Sequence, residues 1–113
     1  MRTIPNAIRL GGHTIKVVRR ENLMNKADAY GTFDGAELEI AIDAGLEDSL
    51  VWETFWHEVV EALNFFSEAD MEHKSIQVFG LLLHQVADSV LDHVSNKPSR
   101  RAAKRTLKGR VEG

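Results

Sequence analysis

The residues His57-Glu58-Val59-Val60-Glu61 set an imidazole and a carboxylate four positions apart, with a second carboxylate between them. On an α-helix, positions i and i+4 share a face about one turn apart, so His57 and Glu61 can point at one metal ion. Glu58 is turned about 100° from His57 and reaches a water on that ion from the side. The pattern is one substitution away from H-E-x-x-H, whose two histidines hold zinc while the glutamate acts as general base. Carboxylate oxygen is itself a zinc ligand. The spacing therefore predicts His57 and Glu61 as metal ligands and Glu58 as the catalytic base. The added negative charge also suits a harder ion, so Zn2+ is expected, with Mn2+ as the alternative.

A catalytic zinc takes three protein ligands and leaves one position open. The chain contains no cysteine, so thiolate ligation is excluded and the third ligand must be histidine or carboxylate. Downstream, Glu72 and His73 stand together, with His84 nearly three turns later. His73 is the preferred third ligand, because an antiparallel return of a second helix brings that end back toward His57; Glu72 is the alternative. The same residues also fit a solvated stripe, Glu53-His57-Glu61, held by i,i+4 pairing worth about 0.3 kcal/mol. His13 and His93 read as surface residues, His84 as a hydrogen-bonded core histidine, and Trp52 and Trp56 as core.

The elements that must position these groups follow from hydrophobic spacing. Ile8 to Leu10 and Thr14 to Arg19 read as two short strands around Gly11-Gly12, since glycines supply the positive φ of a tight hairpin. Arg19 to Asp28 is polar and unpatterned and reads as a loop. Ala29 to Phe33 reads as a further strand, ended by the turn pair Asp34-Gly35. Leu38, Ile40 and Ile42 then alternate on one face of a strand over Glu37–Asp43. From Leu50 to about Phe66 the spacing turns helical, with Trp52, Phe55, Trp56, Val59, Leu63 and Phe66 on one stripe. Asp48 or Ser49 is the expected cap. A second helix is expected from about Met71 to Val94, capped by Asp70. Its expected core stripe is Ile76, Phe79, Leu83, Val86, Val90 and Val94. Strands first and helices last make an α+β fold: a small antiparallel sheet followed by two long packed helices.

That layout resembles the small phage- and prophage-encoded zincin-like proteins, relatives of the minimal metallopeptidase domains of the ImmA/IrrE type. Leu38-Glu39-Ile40-Ala41-Ile42 is similar to their strand of alternating apolar residues. Trp56-His57-Glu58-Val59-Val60-Glu61-Ala62-Leu63 is similar to their signature helix, and Glu72-His73-Lys74-Ser75-Ile76 with Leu83-His84-Gln85-Val86 to the helix that follows. The resemblance covers about residues 7–94. It implies a minimal zincin fold, with His57 a ligand, Glu58 the base, and peptide-bond hydrolysis by a metal-activated water. Glu61 stands where the family has its second histidine. The resemblance thus leaves two outcomes, a divergent metallopeptidase acting on a peptide or protein, or a catalytically inactive interaction protein that kept the fold.

Charge divides the chain. Residues 1–96 carry 7 Lys and Arg against 16 Asp and Glu, a balance of -9, whereas residues 97–113 carry 7 Lys and Arg and one acid, a balance of +6. A domain over 1–96 with a basic tail over 97–113 follows. Residues 97–110 suit a polyanion, so a nucleic-acid-associated accessory protein is an alternative reading, but no aromatic residue there serves base stacking, and a solubilising tail or one that folds back on the acidic body is the reading they favour. No apolar run approaches the roughly 18 residues of a membrane span, and the lack of cysteine suits a cytoplasmic location, the host cytoplasm for a phage protein.

Overall fold

The computed structural model describes residues 3–23, 25 and 29–95; the basic tail lies outside them. Four strands form one sheet: β1 (Ala7–Leu10), β2 (His13–Arg20), β3 (Gly31–Asp34) and β4 (Glu39–Asp43). Two helices follow, α1 (Asp48–Ser67) and α2 (His73–Ser95). Gly11 and Gly12 make the β1–β2 turn with φ of 60° and 82°, a conformation that costs glycine little because it has no Cβ.

The sheet order is β1-β2-β4-β3. β1 pairs antiparallel with β2, and β3 antiparallel with β4, but β2 and β4 run parallel with Val17 opposite Ile40 and Arg19 opposite Ile42. The expectation of a purely antiparallel sheet is therefore corrected to a mixed one. After β2 the chain crosses to the far edge, lays down β3, and the hairpin then turns β4 back into the gap beside β2. β4 is the strand that gains most from a central place: Ile40, Ala41, Ile42 and Asp43 are all buried. Alternation told which face of β4 is apolar, but it carries no information about which neighbour pairs with it.

Leu38 is not a strand residue. It closes the β3–β4 turn with φ 55°, and Asp34 Oδ1 braces that turn by accepting the Ala36 and Glu37 N–H groups, both at 3.0 Å. The Leu38 carbonyl accepts the Lys16 N–H at 2.9 Å, and its side chain still packs on the core. The loop after β2 also holds one unexpected anchor, the buried Leu23.

The core lies between the sheet and α1, where Ile15, Val17, Ile40 and Ile42 meet Val51, Phe55, Val59 and Ala62. α1 begins earlier than expected. Its N-cap is Glu47 rather than Asp48 or Ser49; the Glu47 carbonyl accepts the Val51 N–H at 2.9 Å, without a side-chain cap bond. α1 ends on Glu68 in the left-handed conformation. Asp70 does not cap α2: it sits in the connection with φ 53°. Asn64 Oδ1 holds that connection by accepting the Met71 N–H at 2.7 Å, and the Glu72 carbonyl accepts the first helical bond, from Ile76, at 3.1 Å.

α2 packs chiefly on α1, while α1 alone makes the main contact with β3 and β4. A helix supported by one neighbour buries one narrow face. Of the expected stripe, Ile76 is buried and Leu83 half-buried, whereas Phe79, Val86, Val90 and Val94 are more than half exposed. The face actually turned to α1 runs through Ile76 and Gly80, both buried. Leu63 on α1 is likewise exposed rather than core.

Candidate metal centre

α1 presents two faces to its surroundings. Its apolar face lies on the sheet, and the line through Glu53, His57 and Glu61 turns toward α2. The i,i+4 spacing brings His57 Nε2 to 3.5 Å from Glu61 Oε2. The start of α2 adds His73, whose ring centroid lies 5.7 Å from that of His57 at an angle of 64°. One ligand atom from each of His57, Glu61 and His73 falls within 4.8 Å of the others. His57 and Glu61 are half-buried and His73 exposed. Glu72, the alternative third ligand, is exposed at the helix start and does not join the group. His84 and His93 are not part of it either, and His13 stacks on Phe66 near the end of α1, with centroids 4.9 Å apart.

The donor set fits a divalent cation. Zinc–nitrogen and zinc–oxygen bonds of roughly 2.0–2.1 Å place tetrahedral ligand atoms about 3.4 Å apart. The His57–Glu61 separation already matches that edge, and a ring nitrogen of exposed His73 lies within 4.8 Å of both. Two neutral imidazoles and one carboxylate leave a fourth position free, the arrangement of an open rather than a structural site.

Glu58 occupies the neighbouring position on α1 and is buried beneath β3. Its carboxyl is pushed from the ordinary 4.5 up to about 8, first by burial, which penalises the charged form, and second by the negative charge of Glu61. A cleft of about 350 Å³ opens over these groups, lined by His57, Glu58, His73, Thr54, Tyr30 and Gly31 among others. Glu58, His57 and His73 therefore face one space.

Two glycines that the spacing argument passed over make this geometry possible. A Cβ on Gly31 would lie 2.5 Å from Thr54 Cγ2 and 3.2 Å from Glu58 Cγ, so β3 can lie down on the Glu58 side of α1 only without a side chain there. A Cβ on Gly80 would lie 3.0 Å from His57 Cα, so α2 crosses α1 in backbone contact at the ligand. The signal was available in both cases: glycine inside a strand marks close approach, and glycine inside a helix costs about 1 kcal/mol and calls for a packing reason.

β4 is paired on both sides and has no free edge. β3 is the edge strand, and Tyr30 and Gly31 at its start line the cleft.

No protein-family model, no curated protein and no solved structure matches this chain. Among the described residues, no helix is long and apolar enough to cross a membrane.

Proposed function

We propose that this chain is a divergent zincin-like metal-dependent hydrolase of peptide bonds, with His57, Glu61 and His73 as ligands and Glu58 as general base. The observation that carries the reading is the clustering of ligand atoms of His57, Glu61 and His73 within 4.8 Å of one another, with His57, His73 and the buried Glu58 lining one cleft beside an edge strand. The resemblance of the His57–Leu63 segment to the phage zincin-like signature supports it. A zinc ion bound there supplies Lewis acidity toward a carbonyl and toward water.

The remaining contributions belong to the chain. Free of metal, Glu58 keeps its proton at neutral pH because burial opposes its charge. It loses that proton when the adjoining site gains positive charge, which favours the carboxylate. Glu58 then takes a proton from the attacking water and hands it to the leaving amine. The outer edge of β3 accepts an extended peptide by strand addition, with main-chain hydrogen bonds fixing the register over the cleft. Glu61 replaces a neutral ligand with a charged one, which lowers the net charge of the centre and favours zinc or manganese over softer ions.

The test is metal analysis of the purified chain followed by hydrolysis of a mixed peptide library. One equivalent of zinc or manganese, lost in His57→Ala, with cleavage abolished in Glu58→Gln at unchanged metal content, is the expected result. A chain that takes up no metal on reconstitution, and whose stability is indifferent to chelator, overturns the reading.

A further inference from the structure

Beyond the metal centre, the largest feature without a role is the apolar side of α2. Phe79, Leu82, Val86 and Val90 lie along one stripe of that helix and are each about half exposed or more. Phe79, Leu82 and Val86 line a wholly apolar depression of about 500 Å³, whose other walls include Leu63 and Met71. Contiguous apolar surface of this kind marks a contact site.

The spacing identifies the kind of contact. Phe79, Leu83, Val86 and Val90 recur at steps of four, three and four, a period of 3.5, while Ile76 and Gly80 are taken up by α1. That is the seam of a helix that packs knobs-into-holes on another helix. Positions flanking the seam are small or apolar (Leu82, Ala87, Ser89), and the helix charges Lys74, Asp88 and Asp92 all lie around the far side. A homotypic pair therefore meets no like-charge opposition. Residues 97–113 offer only Leu107 and Val111 as large apolar residues against the four of this stripe, which favours a second copy over the tail as its occupant.

We infer that α2 pairs antiparallel with α2 of a second copy of this chain through the Phe79–Val90 seam. In the antiparallel register Phe79 faces the partner's Val90, Leu83 the partner's Val86, and Leu82 the partner's Ser89, so large residues oppose smaller ones at each layer. Charge selects the same orientation. The antiparallel pair sets the end of each α2 beside the start of the partner's, where exposed Glu68, Asp70 and Glu72 lie. Seven Lys and Arg follow that end of α2 directly in sequence. A parallel pair would bring the two cationic segments together. Because packing on α1 already holds the helix formed, pairing requires little further ordering of backbone.

Sedimentation equilibrium of the full chain tests this. A dimer that dissociates on dilution through the micromolar range is expected, with association weakened by salt. Val86→Glu and Val90→Glu should each weaken association by about tenfold or more, since each buries an unpaired charge in the seam. Both positions are exposed in the single chain, so the variants should keep the wild-type circular dichroism spectrum. The chain has no cysteine, so orientation is read by mixing Phe79→Cys and Val90→Cys proteins under mild oxidation. A mixed 79–90 disulfide is expected, and a Phe79→Cys product crosslinked only to itself overturns the antiparallel register. A wild-type chain that stays monomeric at high concentration, or a dimer unaffected by both glutamate variants, overturns the pairing altogether. Deletion of 97–113 that turned a monomer into a dimer would identify the tail as the occupant and overturn it equally.

Discussion

Glu58 is the residue whose environment makes the sharpest quantitative demand. Its carboxyl holds its proton up to about pH 8 in the folded, metal-free chain, against an ordinary value of 4.5. Between those values the unfolded chain has lost the proton and the folded chain still binds it, so unfolding releases one proton. Stability must then fall as pH rises, with full stability below about 4.5 and the loss complete near pH 8. A tenfold change in proton affinity between the folded and unfolded chains corresponds to about 1.4 kcal/mol. The ceiling across the window is therefore about 5 kcal/mol, comparable with the whole stability of a small domain. Glu58→Gln keeps the shape of the side chain and removes the ionisation. Urea unfolding in chelator should therefore give nearly equal stabilities for wild type and variant at pH 5. The variant's advantage should grow by about 1.4 kcal/mol for each further step of one in pH toward pH 8 and then level off. Glu61→Gln should leave that slope in place but end it at a somewhat lower pH, because the Glu61 charge is the smaller of the two causes and burial the larger. Curves for wild type and Glu58→Gln that run parallel from pH 5 to 8.5, within about 0.5 kcal/mol, would show that Glu58 is ionised in the native state and refute the reasoning.

Three further outcomes follow from the geometry. His73→Ala should lower zinc affinity by about a hundredfold, while Glu72→Ala should change it less than about threefold, since only His73 reaches the other two ligands; calorimetric titration separates the two. In Gly80→Ala the new Cβ meets His57 Cα at 3.0 Å, so α2 is forced outward and carries His73 with it. Helix content should hold, because alanine favours the helix by about 1 kcal/mol, while zinc affinity drops by about tenfold. Gly31→Ala drives a Cβ to 2.5 Å from Thr54 Cγ2; a loss of about 1–3 kcal/mol in denaturant unfolding is expected from overpacking under β3.

Much of the site was legible because its chemistry is local. His57 and Glu61 sit on one α1 face for the single reason that 3.6 residues make a turn, and the structure leaves that face turned toward α2. The α+β order, the Gly11-Gly12 hairpin and the core positions Ile40, Ile42, Phe55 and Val59 follow from periodicity in the same way. Asp70 and Leu38 were misread because a residue suited to a cap, or to an alternating strand, takes a positive φ here when the connection requires it. Neither residue type announces that locally.

What the sequence determined by itself is therefore the spacing of donors on α1, the absence of thiolate ligands and the apolar identity of each strand. Those depend on covalent order and helical geometry alone. Tertiary structure decided the rest. It brought His73 rather than Glu72 within 4.8 Å of His57 and Glu61, and it buried Glu58 under β3, which raises its pKa. It gave β4 two neighbours and left β3 as the free edge, and it turned Phe79, Val86 and Val90 outward. Each of these depends on which surface a distant element happens to cover. Burial, and the pKa that comes with it, is a property of the neighbour, and periodicity within one segment cannot name the neighbour.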